Sequence, residues 1–139
     1  MAKRKPKTLA KLLDDVAVAL QKHVRLKAAD SNGFCACVTC TVKKHYKLMQ
    51  GGHFIERSKA HKILEENIHP QCSYCNQWGM KRAATVLKYR RYMVDMYGED
   101  FVHDLEMTAN RPVKRYRADL EDQLKDLRAR NRELEEKLK

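Results

Sequence analysis

A chain of 139 residues has room for one domain and an appendage but hardly for two independent cores. It carries 29 Lys and Arg against 18 Asp and Glu, a formal net charge of +11, and 34% of its residues are charged, which suits a modest core. No run approaches the roughly 18 uninterrupted apolar residues of a membrane span. The basic start Met1-Ala-Lys-Arg-Lys-Pro-Lys leads into no apolar segment, so no secretory signal is expected. The charge is uneven: residues 118–139 hold six basic and seven acidic side chains, the preceding 117 hold 23 and 11. That concentration points to a polyanionic partner, with a solubilising surface as the plain alternative. A membrane surface fits less well, because no segment joins a basic face to a bulky aromatic one.

Residues 1–7 read as a basic arm. From Thr8 onward, Leu9, Leu12, Leu13, Val16, Leu20 and Val24 recur at helical steps, and Asp30-Ser-Asn-Gly33 supplies a stop. Residues 8–33 are therefore an N-terminal helix and turn, capped by Thr8, with Lys11, Lys22, Arg25 and Lys27 on its more exposed sides. Residues 34–75 contain all five cysteines and four of the six histidines, and read as short strands joined by loops. A helical pattern returns from Asn76 to Tyr97, with Trp78, Leu87, Tyr89 and Met93 among its candidates for burial and Gly98 as its stop. Residues 34–98 thus make the core. Residues 99–117 are a short helix around Asp100–Met107 and a linker broken at Asn110-Arg-Pro112.

Residues 118–139 are the most regular. Leu120, Leu124, Leu127, Asn131, Leu134 and Leu138 alternate steps of four and three, a heptad with leucine at d and one asparagine at a. An amphipathic helix follows, with two possible occupants for its apolar stripe. A homodimeric parallel coiled coil is the arrangement that a buried Asn at a favours; the other is packing back on its own domain.

Cys37-Val-Thr-Cys40 and Cys72-Ser-Tyr-Cys75 are two C-x2-C pairs 31 residues apart. Each pair can turn two thiolates toward one side of a tetrahedral ion, so together they make a closed structural zinc site. Cys35 is left over, and with Cys40 it offers a looser C-x4-C alternative. Disulfides fit poorly with an odd count and no sign of an oxidising compartment.

Between and after the knuckles lie Gly51-Gly52-His53-Phe54-Ile55, Glu66-Asn67-Ile68-His69-Pro70-Gln71 and Asn76. Here the chain resembles the HNH, or His-Me finger, nucleases in their H-N-N form, through His53, Asn67 and Asn76. More closely it resembles the phage NinG/Rap recombination proteins, in His23-Val-Arg-Leu26 and Gly52-His-Phe-Ile-Glu-Arg57, in Asn67 through Asn76, and in Tyr89-Arg-Arg-Tyr-Met93. The resemblance implies an α+β fold: a small zinc-stapled ββα core flanked by an N-terminal helix and a C-terminal helical or coiled-coil tail. It also implies a structure-selective endonuclease acting on branched DNA such as Holliday junctions and D-loops, in the cytoplasm of a bacterial host.

In that reading His53 is the general base, since imidazole titrates near neutrality. Asn67 orients the loop or strand that bears it, and Asn76 offers its carbonyl oxygen to Mg2+ or Mn2+. Arg57, Lys81 and Arg82 are expected on phosphates. Where many HNH enzymes carry an acidic ligand before the histidine, this chain has Gly52, so Glu56 or Gln50 is left to supply that oxygen. Each residue has a plainer role: His53 as a buried histidine or zinc ligand, Asn67 as a turn former, Asn76 as a helix cap. His61 and His69 are expected in loops and Trp78 in the core. A zinc-stapled DNA-binding adaptor without catalysis is the alternative function.

Overall fold

The computed structural model describes residues 5–138. Its spine is helix α1 (Leu9–Ala28), started by the Thr8 hydroxyl, which accepts the Lys11 amide at 3.1 Å. The helical spacing of Leu12, Val16, Leu20 and Val24 gathers these residues on one buried stripe. The C-terminal helix α5 (Arg117–Lys137) lies along that stripe, and Leu120, Leu124 and Leu127 enter the same cluster. Asn131, in the fourth heptad-like position, is also buried. Its Nδ2 donates to the Ala19 carbonyl at 3.1 Å, and its Oδ1 accepts from His23 Nδ1 at 2.9 Å. The stripe offered to a second copy is thus taken up within the chain. Its polar residue is matched to α1 rather than to another Asn131.

Between these helices the chain builds two antiparallel two-stranded sheets. Strand β1 (Phe34–Ala36) pairs with β2 (Lys43–His45), and the first knuckle occupies the turn between them. Strand β3 (Gln50–His53) pairs with β4 (Ile68–Gln71), placing Gly52 opposite His69 and His53 opposite Ile68. A methyl group on Gly51 would stand 2.6 Å from the Gln21 backbone, so glycine lets β3 lie directly on α1. Three further helices follow β4: α2 (Ser73–Gln77), α3 (Ala83–Tyr97) and α4 (Glu99–Met107). The fold is mixed α+β, with five α-helices and two small sheets among the described residues. No helix of the described residues is long and apolar enough to cross a membrane.

Three expectations are corrected. The single helix expected from Asn76 to Tyr97 is two, because α2 starts inside the second knuckle at Ser73 and yields to a 3-10 turn at Gly79–Lys81. The turn leaves Trp78 at the surface, 58% exposed, with the Lys81 ammonium 5.0 Å from its ring centroid. Helix α3 then begins on a fresh phase, burying Tyr89 and Met93 while Leu87 stays 66% exposed. Residues 1–4 of the basic arm lie outside the described residues. Lys7 is tethered, its ammonium 2.6 Å from Asp15 and its carbonyl accepting from Arg117 at 2.7 Å.

Candidate metal centre and active-site cleft

The four sulfurs of Cys37, Cys40, Cys72 and Cys75 all lie within 4.8 Å of one another. A tetrahedral zinc with bonds of about 2.3 Å sets its sulfurs about 3.8 Å apart, and Cys40 and Cys72 Sγ are 3.7 Å apart. The donor set and spacing fit a zinc ion, so the four cysteines could bind one. Local geometry prepares each knuckle. Thr41 adopts a left-handed φ of 68° and its amide donates to the Cys37 carbonyl, while the Cys75 amide donates to Cys72 Sγ at 3.4 Å.

Cys35 is buried beside this group without joining it, and all five thiols are free of disulfides. Burial opposes ionisation of Cys37, yet hydrogen bonds from Thr39 and neighbouring amides bring its thiol down to about 6. Burial pushes Cys75 up to about 12. Four sulfurs this close can all ionise together only around a cation.

Strand β4 ties this centre to a second feature. The Val38 amide donates to the Pro70 carbonyl at 3.0 Å, and Gln71 Nε2 donates to Thr39 Oγ1, itself 3.2 Å from Cys37 Sγ. Beside β3 lies a cleft of about 700 Å³, with His53, Asn76, Glu56 and Arg57 in its lining. His53 comes from the end of β3 and Asn76 from α2, so the metal knuckle sets the position of the asparagine. The fourth residue of a five-residue helix, rather than the opening of a long one, carries Asn76.

His53 is only 8% exposed. Its Nε2 lies 2.8 Å from the Lys62 carbonyl, an acceptor only, so Nε2 bears the proton and Nδ1 keeps its lone pair. Burial lowers its pKa, and this outweighs the opposing effect of the Lys62 carbonyl. Asn67 is fully buried and binds the loop after β3 at three points. Its Oδ1 accepts the Ile55 amide at 2.8 Å, and its Nδ2 donates to the Ile55 and His61 carbonyls at 2.9 and 3.1 Å.

Asn76 Nδ2 donates to Gln50 Oε1 at 2.7 Å, which engages the glutamine oxygen and leaves the asparagine oxygen without that task. The glycine before His53 has a steric cause. A Cβ on Gly52 would come within 1.7 Å of Gln71 Oε1, so the buried glutamine excludes any side chain there.

Lys81 and Arg82 lie on the turn after α2, outside the cleft lining, whereas Arg57 lines it. His69 is in strand β4, not in a loop. It is buried between Tyr89, 3.2 Å from Nδ1, and Tyr97, 2.8 Å from Nε2, and burial lowers its pKa to about 4. His61 donates to the Leu105 carbonyl at 3.0 Å. Sequence reasoning missed Arg25, left above on an exposed face of α1. Its guanidinium is anchored to the Tyr46 and Met49 carbonyls at 2.9 and 3.1 Å and lines the cleft. Its four-residue step from Gln21, on a face apart from the leucine stripe, is the only signal it left.

No curated protein and no solved structure matched the chain. The family model of the bacteriophage lambda NinG protein matches residues 1–139. The chain therefore belongs to the NinG family, and is a phage recombination-related protein.

Proposed function

We propose that the protein is a metal-dependent endonuclease that hydrolyses phosphodiester bonds in branched DNA, Holliday junctions and D-loops among them. The observation that carries this reading is the shared cleft. His53 and Asn76 arrive from different elements, beside Arg25 and Arg57, with the histidine already in the tautomer a base requires. In this mechanism Arg57 and Arg25 attract and orient the phosphate through charge-assisted contacts. His53 Nδ1 takes a proton from the attacking water, and the Lys62 carbonyl steadies the imidazolium that forms. Asn67 fixes the His53-bearing loop, so it is a positioning residue.

Asn76 and Glu56, which both line the cleft, would be the residues whose oxygens hold a hard cation such as Mg2+ or Mn2+. The chemistry supplied by Mg2+ or Mn2+ in that position is Lewis-acid stabilisation of charge on the phosphate and leaving oxygen. The four-cysteine zinc is structural in this account. Closing all its positions with thiolate leaves none for water or substrate.

The test is cleavage of a labelled four-way junction by zinc-replete protein with and without Mg2+ or Mn2+. Ion-dependent nicking is expected. A protein that binds the junction and leaves it whole across divalent ions contradicts the proposal.

A further inference from the structure

The loop that positions His53 has a second face. Residues 57–62 and the linker around 109–115 wall a groove of about 450 Å³. The two walls are stitched by the backbone, with the Ala60 amide donating to the Ala109 carbonyl at 2.8 Å, and by Arg115, which donates to the Ala60 carbonyl at 3.0 Å. Among the described residues that line it are five cations, Arg57, Lys59, Lys62, Arg111 and Arg115, and no carboxylate. Asp14, at the edge, pairs with Lys62. No described carboxylate forms an ion pair with Arg57, Lys59, Arg111 or Arg115. Five cations gathered in a concavity with one carboxylate, Asp14, at its edge leave an excess of positive charge, and that excess focuses a positive potential there. Arg57 belongs to both linings, so the groove adjoins the cleft that holds His53 and Asn76.

We infer that this groove is the track for the DNA sugar-phosphate backbone next to the bond being cut, with Lys59 and Arg111 on its phosphates. The occupant follows from the lining. A string of cations along an open channel matches an evenly spaced polyanion, and Arg57 at the junction sets the register between the reacting phosphate and its neighbours. Lys62 links the two roles, its carbonyl holding His53 while its side chain lies on the groove wall. The inference rests on the nuclease reading for what occupies the cleft, but binding can be measured apart from cutting.

The experiment measures affinity for a labelled four-way junction against salt concentration, without added Mg2+ or Mn2+, using full-length zinc-replete protein. Lys59→Ala with Arg111→Ala is compared with wild type and with a control pair on α5, Lys125→Ala with Arg128→Ala. Each lost phosphate contact lowers the slope of log affinity against log salt by about 0.9. The groove pair is expected to lower it by about 2 and to weaken binding at least tenfold, and Arg111→Ala alone by about 1. The α5 pair is expected to leave the slope unchanged. A groove pair that keeps the wild-type slope overturns the inference, as does an α5 pair that lowers it equally. Either result in a protein that still cuts removes the groove and leaves the nuclease. A changed slope in a protein that cuts nothing retains the groove and removes the nuclease.

Discussion

The His53 Nε2–H donates to the Lys62 carbonyl at 2.8 Å, nine residues on, and Asn67 clasps both ends of the loop between them, at Ile55 and His61. A backbone carbonyl thus holds the ring, while the Asn67 side chain holds the loop that carries that carbonyl. Chemistry and folding meet at these residues, and the two can be separated by experiment.

The first separation is by pH. Burial lowers the His53 pKa below its ordinary value of about 6.5, so the imidazole is neutral at neutral pH. Cutting is expected to stay level above about pH 6.5 and to fall at a lower pH as Nδ1 takes up a proton. Stability should move the same way. The unfolded chain binds protons to its histidines below about 6.5, while folded His53 resists and folded His69 resists down to about 4. Stability is therefore full above about 6.5 and lost as pH falls toward 4, with His69 alone contributing on the order of 3 kcal/mol. Urea midpoints taken across that window check the sign.

Asn67→Ala removes three hydrogen bonds from a fully buried site and strands an amide and two carbonyls. Leaving such groups unpaired costs about 1–3 kcal/mol each in the worst case. Destabilisation by about 3 kcal/mol is expected in urea titration. Residual activity should fall further than the folded fraction does, because the His53 loop loses its clasp.

Asn131 gives a contrasting test. In a coiled-coil dimer Asn131→Leu would strengthen or re-register the assembly. Here the asparagine satisfies His23 Nδ1 and the Ala19 carbonyl inside the chain. The substitution is expected to destabilise folding by about 2 kcal/mol, by an amount independent of protein concentration. Urea titration at two concentrations a hundredfold apart measures this.

Removing metal should act on the fold. With four sulfurs drawn together by the two knuckles, one zinc per chain is expected by metal analysis. A strong chelator should unfold the β1–β2 hairpin and loosen α2, since apparent zinc binding of about 10–16 kcal/mol rivals the stability of a small domain. Cys75→Ser should lower the zinc content in the same measurement. Circular dichroism unchanged after complete zinc removal would contradict a structural role.

What was legible in the sequence was local in its physics. The C-x2-C spacings dictate which sulfurs can converge, and the four that converge are those of the two knuckles. The helical step from Leu12 to Val24 dictates one buried stripe on α1. What covers a stripe is a tertiary matter: a heptad states that one face of α5 is apolar, and it reads the same whether a second copy or α1 lies against it. Trp78 reads as core from periodicity alone, because a single glycine at 79 does not by itself say that the helix stops after the knuckle and restarts out of phase. The tyrosines around His69 and the carbonyls around Arg25 come from residues some 20 or more positions away, beyond any periodic signal. Gly52 was legible as a departure, but its cause, Gln71 lying in the space of its missing Cβ, needed the register of β3 against β4.

The most direct measurement is the rate at which wild type and His53→Ala cut a labelled four-way junction in Mg2+, both verified as folded and zinc-loaded. Loss of a general base is expected to slow cutting by about 10²–10⁴-fold, with junction affinity retained. A His53→Ala protein that cuts at the wild-type rate would contradict the account.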